Sequence, residues 1–254
     1  MKSGAVAVID ALGFKGIWGR PECKDDPSIV MRKMKDLLIR IRDERTTNAT
    51  LSKFIFSIKA TLLSDTIVIG AMVEARNPEQ DGAYAERYAI ELAATSVGRM
   101  MMHSTTAPPA LAWRGCITYG QFDIEGQIVM GPAIDEAADL HQRSDAAVAW
   151  VTPGAKKIMD GEPIGSAALG ALAPNIRVPL HGSNSYVTYV VQPGFLEEDW
   201  DKRKSWRNTV LSTFDRQSLE VQIKKQNTEA VLQELDRHHE KWVKEINNHN
   251  NRIG

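Results

Sequence analysis

The sequence predicts an α+β sandwich, with helices covering one face of a sheet and a helical extension at the C-terminal end. Three observations carry that expectation. Short apolar runs rich in β-branched residues alternate with stretches of helical spacing, two of the runs read as hairpins, and from about Trp200 the composition turns charged and helical.

The first strand is Ala5-Val6-Ala7-Val8-Ile9-Asp10-Ala11-Leu12, and the glycines Gly13 and Gly16 mark a turn after it. Residues 28–45 set Ile29, Val30, Met34, Leu37, Leu38 and Ile41 at helical spacing, and Asn48 ends that helix. Residues 54–73 read as a hairpin whose strands meet near Ser64-Asp65. A helix from Ala83 to His103 follows, and Pro108-Pro109 breaks it. Leu111 to Ile117 begins a strand that runs through Tyr119-Gly120 into a second hairpin, Phe122 to Val129. In Met130-Gly131-Pro132 the proline suits the first turn of a helix that carries Ile134, Ala137, Ala138 and Leu140. Ala146 to Val151 returns as a strand. Leu219, Ile223, Val231, Leu235, Trp242 and Ile246 then form one apolar stripe. Residues 1–195 are therefore expected to form one domain, and residues 196–254 a helical extension packed on that domain or on a partner.

The 31 basic and 32 acidic residues nearly cancel, so no broad field favours nucleic acid or an anionic membrane. No run approaches a membrane span, and Asp10 cuts short the apolar N-terminal stretch that would otherwise resemble a signal peptide. Cys23 and Cys116 have none of the spacings of a zinc site or a disulfide framework, which fits a reducing cytoplasm. The chain lacks the G-x-x-x-x-G-K-[ST] phosphate loop and any local motif of a nucleophilic triad. His238, His239 and His249 read as surface histidines, and Met100-Met101-Met102 as core.

Asp10 and Asp65 carry the chemistry. Each stands at the edge of a run that belongs in a sheet core, where a lone carboxylate suffers a desolvation penalty unless positive charge meets it. Each taken alone also suits a cap or a turn. Taken together, two carboxylates on neighbouring strands point to hard divalent cations, Mg²⁺ or Mn²⁺, which use oxygen ligands and substrate phosphates. The backbone amides of Ala11, Leu12, Gly13 and Phe14, where the chain turns toward a helix, are candidates for holding those phosphates.

Four stretches in order resemble the catalytic domain of class III nucleotidyl cyclases: Ile9 to Phe14, Leu63 to Thr66, Arg114 to Gly120 and Gly131 to Leu140. The resemblance spans about residues 4–152 and implies a class III cyclase-like fold with a ferredoxin-like βαββαβ core. It implies that Asp10 and Asp65 hold two divalent cations, and that the ribose 3′-hydroxyl attacks the α-phosphorus and expels pyrophosphate. It also implies a head-to-tail homodimer, because in that family the active site lies between two domains and this chain has one.

Several positions depart from the family. The lysine of adenylate-making members, four residues before the second aspartate, is Thr61 here, and the other base-reading position falls near Ile128. Asparagine and arginine of the third helix are replaced by Asp135 and Asp139. Arg143, one helical turn beyond Asp139, is the candidate replacement for the transition-state cation, the alternative being a solvated charge at the helix end. Lacking the purine readers, the chain looks most like the pyrimidine cyclases of bacterial Pycsar antiphage systems. That resemblance implies UTP as substrate and cyclic UMP as a signal read by a separate effector protein. The alternatives are a cyclic CMP or purine cyclase, or a non-catalytic nucleotide-binding regulatory domain.

Overall fold

A computed structural model of the protein describes residues 1–26, 28–43, 54–75, 78–161, 171–182, 184–195, 200–214 and 218–253. Strand β1 (Lys2–Leu12) is the hub. It pairs antiparallel with β3 (Thr66–Ala75) on one side and with β4 (Ala112–Glu125) on the other, and β2 (Phe54–Leu63) continues the sheet beyond β3. With α1 (Pro21–Lys24) and α2 (Ser28–Asp43) after β1, and α3 (Pro78–His103) after β3, the chain forms a βαββαβ core with strands ordered β2-β3-β1-β4. The expected α+β, ferredoxin-like arrangement is the one observed.

The sheet then grows past what the sequence reading expected. β6 (Ala149–Val151) lies parallel to β4, and the hairpin of β7 (Leu172–Leu180) and β8 (Asn184–Val191) joins through β8, giving the order β2-β3-β1-β4-β6-β8-β7. Neither β7 nor β8 was anticipated. α4 (Pro132–Leu140) and α5 (Pro153–Asp160) flank β6 in sequence, each with proline in its first turn. β4 runs unbroken through Tyr119-Gly120, because eleven of its residues pair with β1, from Lys2 opposite Phe122 to Leu12 opposite Ala112. Its hairpin partner β5 (Ile128–Met130) pairs with Asp123–Glu125, close to the expected hairpin of Phe122 to Val129.

Helices do not cover a single face. Ala5 to Ala11 are all buried, although consecutive strand residues point to opposite faces. The contacts of α4 show one covering: Cys116 and Thr118, two residues apart on β4, hydrogen-bond the carbonyls of Ala137 and Ala133. Close strand approach is permitted by glycine, since a Cβ at Gly115 would stand 2.1 Å from the carbonyl oxygen of Val8.

The C-terminal helices α6 (Trp200–Ser212) and α7 (Leu219–Ile253) pack on the rest of the chain. Trp206 Nε1 donates to the Met101 carbonyl at 3.0 Å, the Ala147 amide donates to Thr228 Oγ1 at 2.8 Å, and Arg207 joins the two helices through Asp236 at 3.0 Å. Val231 and Leu235 of the expected stripe are buried, but Leu219 and Ile223 are exposed, and Val221 and Leu232 face inward instead. Asn48 lies outside the described residues, as does the side chain of Ile246. Among the described residues no helix is long and apolar enough to cross a membrane.

Inside α3, Glu91 is buried 3.6 Å from Arg87, and burial pushes its carboxyl up to about 7 despite the opposing pull of that guanidinium. A folded pKa above the unfolded value contributes stability that is whole below the unfolded value, near 4.5, and lost as pH rises through about 7. Glu91→Gln is expected to flatten the fall in thermal midpoint between pH 5 and 7.5, removing at most about 3 kcal/mol of pH-dependent stability. Thermal unfolding scans of both proteins across that range check it.

Candidate active site

Asp10 is the last acidic group of β1 and stands opposite Thr66 on β3 and opposite Arg114 on β4. Asp65 precedes Thr66 in the two-residue turn that closes the β2–β3 hairpin, where Ser64 takes φ 59°. The Ala11 amide donates to the Asp65 carbonyl at 3.1 Å, which locks the turn against the end of β1. The hairpin register thus brings the two sequence-predicted carboxylates to one end of three adjacent strands.

Asp10 is 8% exposed, and its carboxyl is held above the ordinary value first by burial and then by the negative charge of Asp65. Arg114, His141 and a 3.4 Å hydrogen bond from Thr66 Oγ1 act in the opposite sense. Arg114 Nη2 stands 3.6 Å from Asp10 Oδ2, and its Nη1 donates to the Gln142 carbonyl at 3.4 Å. Arg114 thus ties the aspartate to the segment after α4. Sequence reasoning quoted this arginine within a motif and gave it no role. Arg114 is a charged residue in the apolar start of β4, and the β1–β4 register, which local pattern does not give, sets it facing Asp10.

The donor set fits a hard divalent cation. It consists of two neighbouring carboxylates, of which Asp10 has its proton affinity raised by burial and by Asp65, a hydroxyl beside them and no sulfur. Among the described residues no group of three or more His, Cys, Asp or Glu stands together, so a cation here would draw its remaining ligands from water or substrate oxygens.

The other expected site residues fall into five places. Ala11, Leu12, Gly13 and Phe14 form the exit from β1. The Ala11 amide is already committed to Asp65, while Gly13 takes a left-handed φ of 73° to start the 3₁₀ turn Phe14–Gly19. Thr61 is 2% exposed on β2 and offers no surface to a ligand in one chain. Ile128 is 61% exposed and opposite Glu125, eleven residues up β4 from Arg114, roughly 35 Å at about 3.3 Å per residue. Asp135 lies exposed in the first turn of α4. Arg143 is not on the continuing face of that helix, because α4 ends at Leu140. Arg143 instead follows a turn, its amide bonded to the Leu140 carbonyl and its own carbonyl accepting from the His181 amide. His141 Nδ1 is engaged with the Ala138 carbonyl at 2.8 Å.

No family model matches the chain, and no curated protein matches it in sequence. Among solved structures, the catalytic core of a rhodopsin-guanylyl cyclase with converted specificity, in complex with ATPαS, is similar over 75% of this chain and 94% of its own, at 13% identity and a TM-score of 0.47. The adenylate/guanylate cyclase/hydrolase from Silicibacter pomeroyi is similar over 75% and 96%, at 13% identity and a TM-score of 0.33. Likeness at this level assigns no residue roles, which come instead from the geometry of this chain.

Because Asp65 raises the Asp10 carboxyl, neutralising either is expected to leave the protein at least as stable while removing the candidate cation site. Mn²⁺ should raise the thermal midpoint of the wild-type protein by several degrees and leave Asp10→Asn and Asp65→Asn unmoved. An equal Mn²⁺ shift in all three proteins would place the cation elsewhere.

Proposed function

We propose that the protein is a metal-dependent nucleotidyl cyclase that converts UTP to 3′,5′-cyclic UMP and pyrophosphate, with CTP the next substrate in order. The observation that carries this reading is the meeting of Asp10 and Asp65 at one strand end, with Arg114 3.6 Å from Asp10. In the reaction the ribose 3′-oxygen bonds to the α-phosphorus, the bond to the β-phosphate oxygen breaks, pyrophosphate leaves and the hydroxyl proton passes to solvent. Two Mg²⁺ or Mn²⁺ ions held by Asp10 and Asp65 would supply Lewis acidity toward the phosphoryl oxygens and the attacking hydroxyl.

The chain's own residues do the rest. Arg114 offsets charge on the phosphates from a partly desolvated position, where an ionic contact acts more strongly than in water. Arg143, next to the Gln142 carbonyl that holds Arg114, is the second cation proposed for the transition state. The turn from Leu12 to Phe14 shapes the phosphate end, with the Ala11 amide spent on Asp65. Ile128, exposed roughly 35 Å up β4, fits base contact only toward a second copy of the chain, which supports a head-to-tail homodimer with two equivalent sites. Asp135, exposed on α4, is proposed to face the nucleotide across the same interface. Thr61, assigned to the base by resemblance, is buried within the chain and is left out of the base contact. The proposed setting is a cytoplasmic antiphage pathway in which a separate effector reads the cyclic nucleotide.

Incubation of the purified protein with each of the four ribonucleoside triphosphates and Mn²⁺ tests the reading. Cyclic UMP from UTP is expected, with Asp10→Ala and Asp65→Ala losing turnover by at least about 10³-fold and Arg143→Ala losing turnover more than nucleotide affinity. Cyclic AMP or cyclic GMP would keep the chemistry and overturn the pyrimidine choice; full activity in either aspartate variant would overturn the metal site.

A further inference from the structure

Beside the end of β1 lies a cavity of about 630 Å³, inside the range of about 300–1,000 Å³ usual for small-molecule pockets. One wall is the turn that leaves β1, at Leu12 and Gly13. The C-terminal extension also lines it, at Phe214 after α6 and at Val221 and Lys224 in the first turns of α7. Leu12 lies two residues beyond Asp10 on the same face of β1, a step of about 7 Å.

The shared lining brings the first turns of α7 to the turn that leaves β1. Glu220, one helical turn before Lys224, has its carboxyl held low by Lys224 first and then by His181 and Arg114, the same arginine that stands against Asp10. Two cations line the cavity. Arg20 reaches across it to donate to the Ala110 carbonyl at 2.7 Å, and Lys224, with its side chain only 17% exposed, pairs with Glu220 at 2.6 Å. The Glu220 side chain is 78% exposed, so water and salt compete for it and the pair holds Lys224 loosely. Glu22 is the acidic group among the lining residues, while Leu12, Ala110, Phe214 and Val221 add apolar surface.

We propose that this cavity takes the polyphosphate of a nucleotide within one chain, and that Lys224 of the C-terminal helix is the cation that moves from Glu220 onto it. The ligand class is a polyphosphate bearing an apolar or aromatic body. The assignment rests on the nucleotide reading of Asp10 and Asp65 and makes the extension a wall of that site.

The test uses inorganic tripolyphosphate with Mg²⁺ as probe, titrated calorimetrically into the full chain and into K224Q, K224R and E220Q, each checked for an unchanged thermal midpoint. Binding to the wild type is expected, about tenfold weaker in K224Q, restored in K224R, and equal or tighter in E220Q because the lysine is released. A pair that merely supports the helix would weaken both K224Q and E220Q together or neither, and either pattern overturns the proposal, as does absence of wild-type binding. The cyclase reading fails separately. If no triphosphate is cyclised yet tripolyphosphate affinity follows Lys224, the cavity stands without the reaction; if product forms and K224Q keeps wild-type kcat and KM, the reaction stands without the cavity.

Discussion

This end of the sheet depends on how Asp10 is kept beside Asp65 in a place short of water. Burial and like charge both raise the Asp10 carboxyl, and only Arg114, His141 and the Thr66 hydroxyl oppose them. That balance follows from pairing alone. Asp10 is opposite Thr66 on one side and Arg114 on the other, so a one-residue slip of either neighbouring strand would send its partner side chain to the opposite face. The register is held in turn by close packing, for Gly115 lies so near the Val8 carbonyl that no side chain fits between the strands. Such an arrangement stores unfavourable charge at a specified point, which is a general mark of a site built to receive a counter-ion.

The C-terminal helices belong to the same physical unit. α6 is fastened to α3 by Trp206 and to α7 by Arg207, and α7 is fastened to the segment before β6 by Thr228. These attachments bring the start of α7 to the strand end where β1 leaves the sheet, lining one cavity with Gly13. A long helix whose first turns, at Leu219 and Ile223, are exposed while its middle is buried is positioned by that middle. Its N-terminal turns set Val221 against the core and Lys224 beside the cavity.

Much of the core was legible in the sequence, because β1 and β3 carry long apolar runs, with an aspartate near the end of the first and a turn before the second. Asp10 and Asp65 were visible for that reason. β7 and β8 were not. On β7 exposed Asn175 and Arg177 flank buried Ile176, and β8 opens on exposed Asn184 and Ser185; a half-polar hairpin gives a weak signal beside longer apolar strands. The placement of Arg143 failed where a helix end had to be located: Leu140 is the last helical residue, and no glycine or proline follows to mark the stop. Thr61 and Arg114 show the limit from the other side. Burial of the first and the partner of the second are set by strands distant in sequence, so neither is a property of local pattern.

The length of β4 bears on assembly. Its two ends serve different purposes: Arg114 near one end faces Asp10, while Asp123 to Glu125 at the other carries β5 and the exposed Ile128 and Met130. A nucleoside triphosphate cannot touch both ends of a strand that places them some 35 Å apart. On the proposed reading, either a second copy brings its own β5 to the first copy's aspartates, or the nucleotide is held within one chain by groups already at the Asp10 end. The cavity between Gly13 and Lys224 supplies the second possibility for the phosphates, and Ile128 retains the first for the base. The two are compatible, since phosphates and base occupy opposite ends of the same small molecule. A chain with cations gathered at the phosphate end and apolar surface offered at a remote hairpin divides the work in that way.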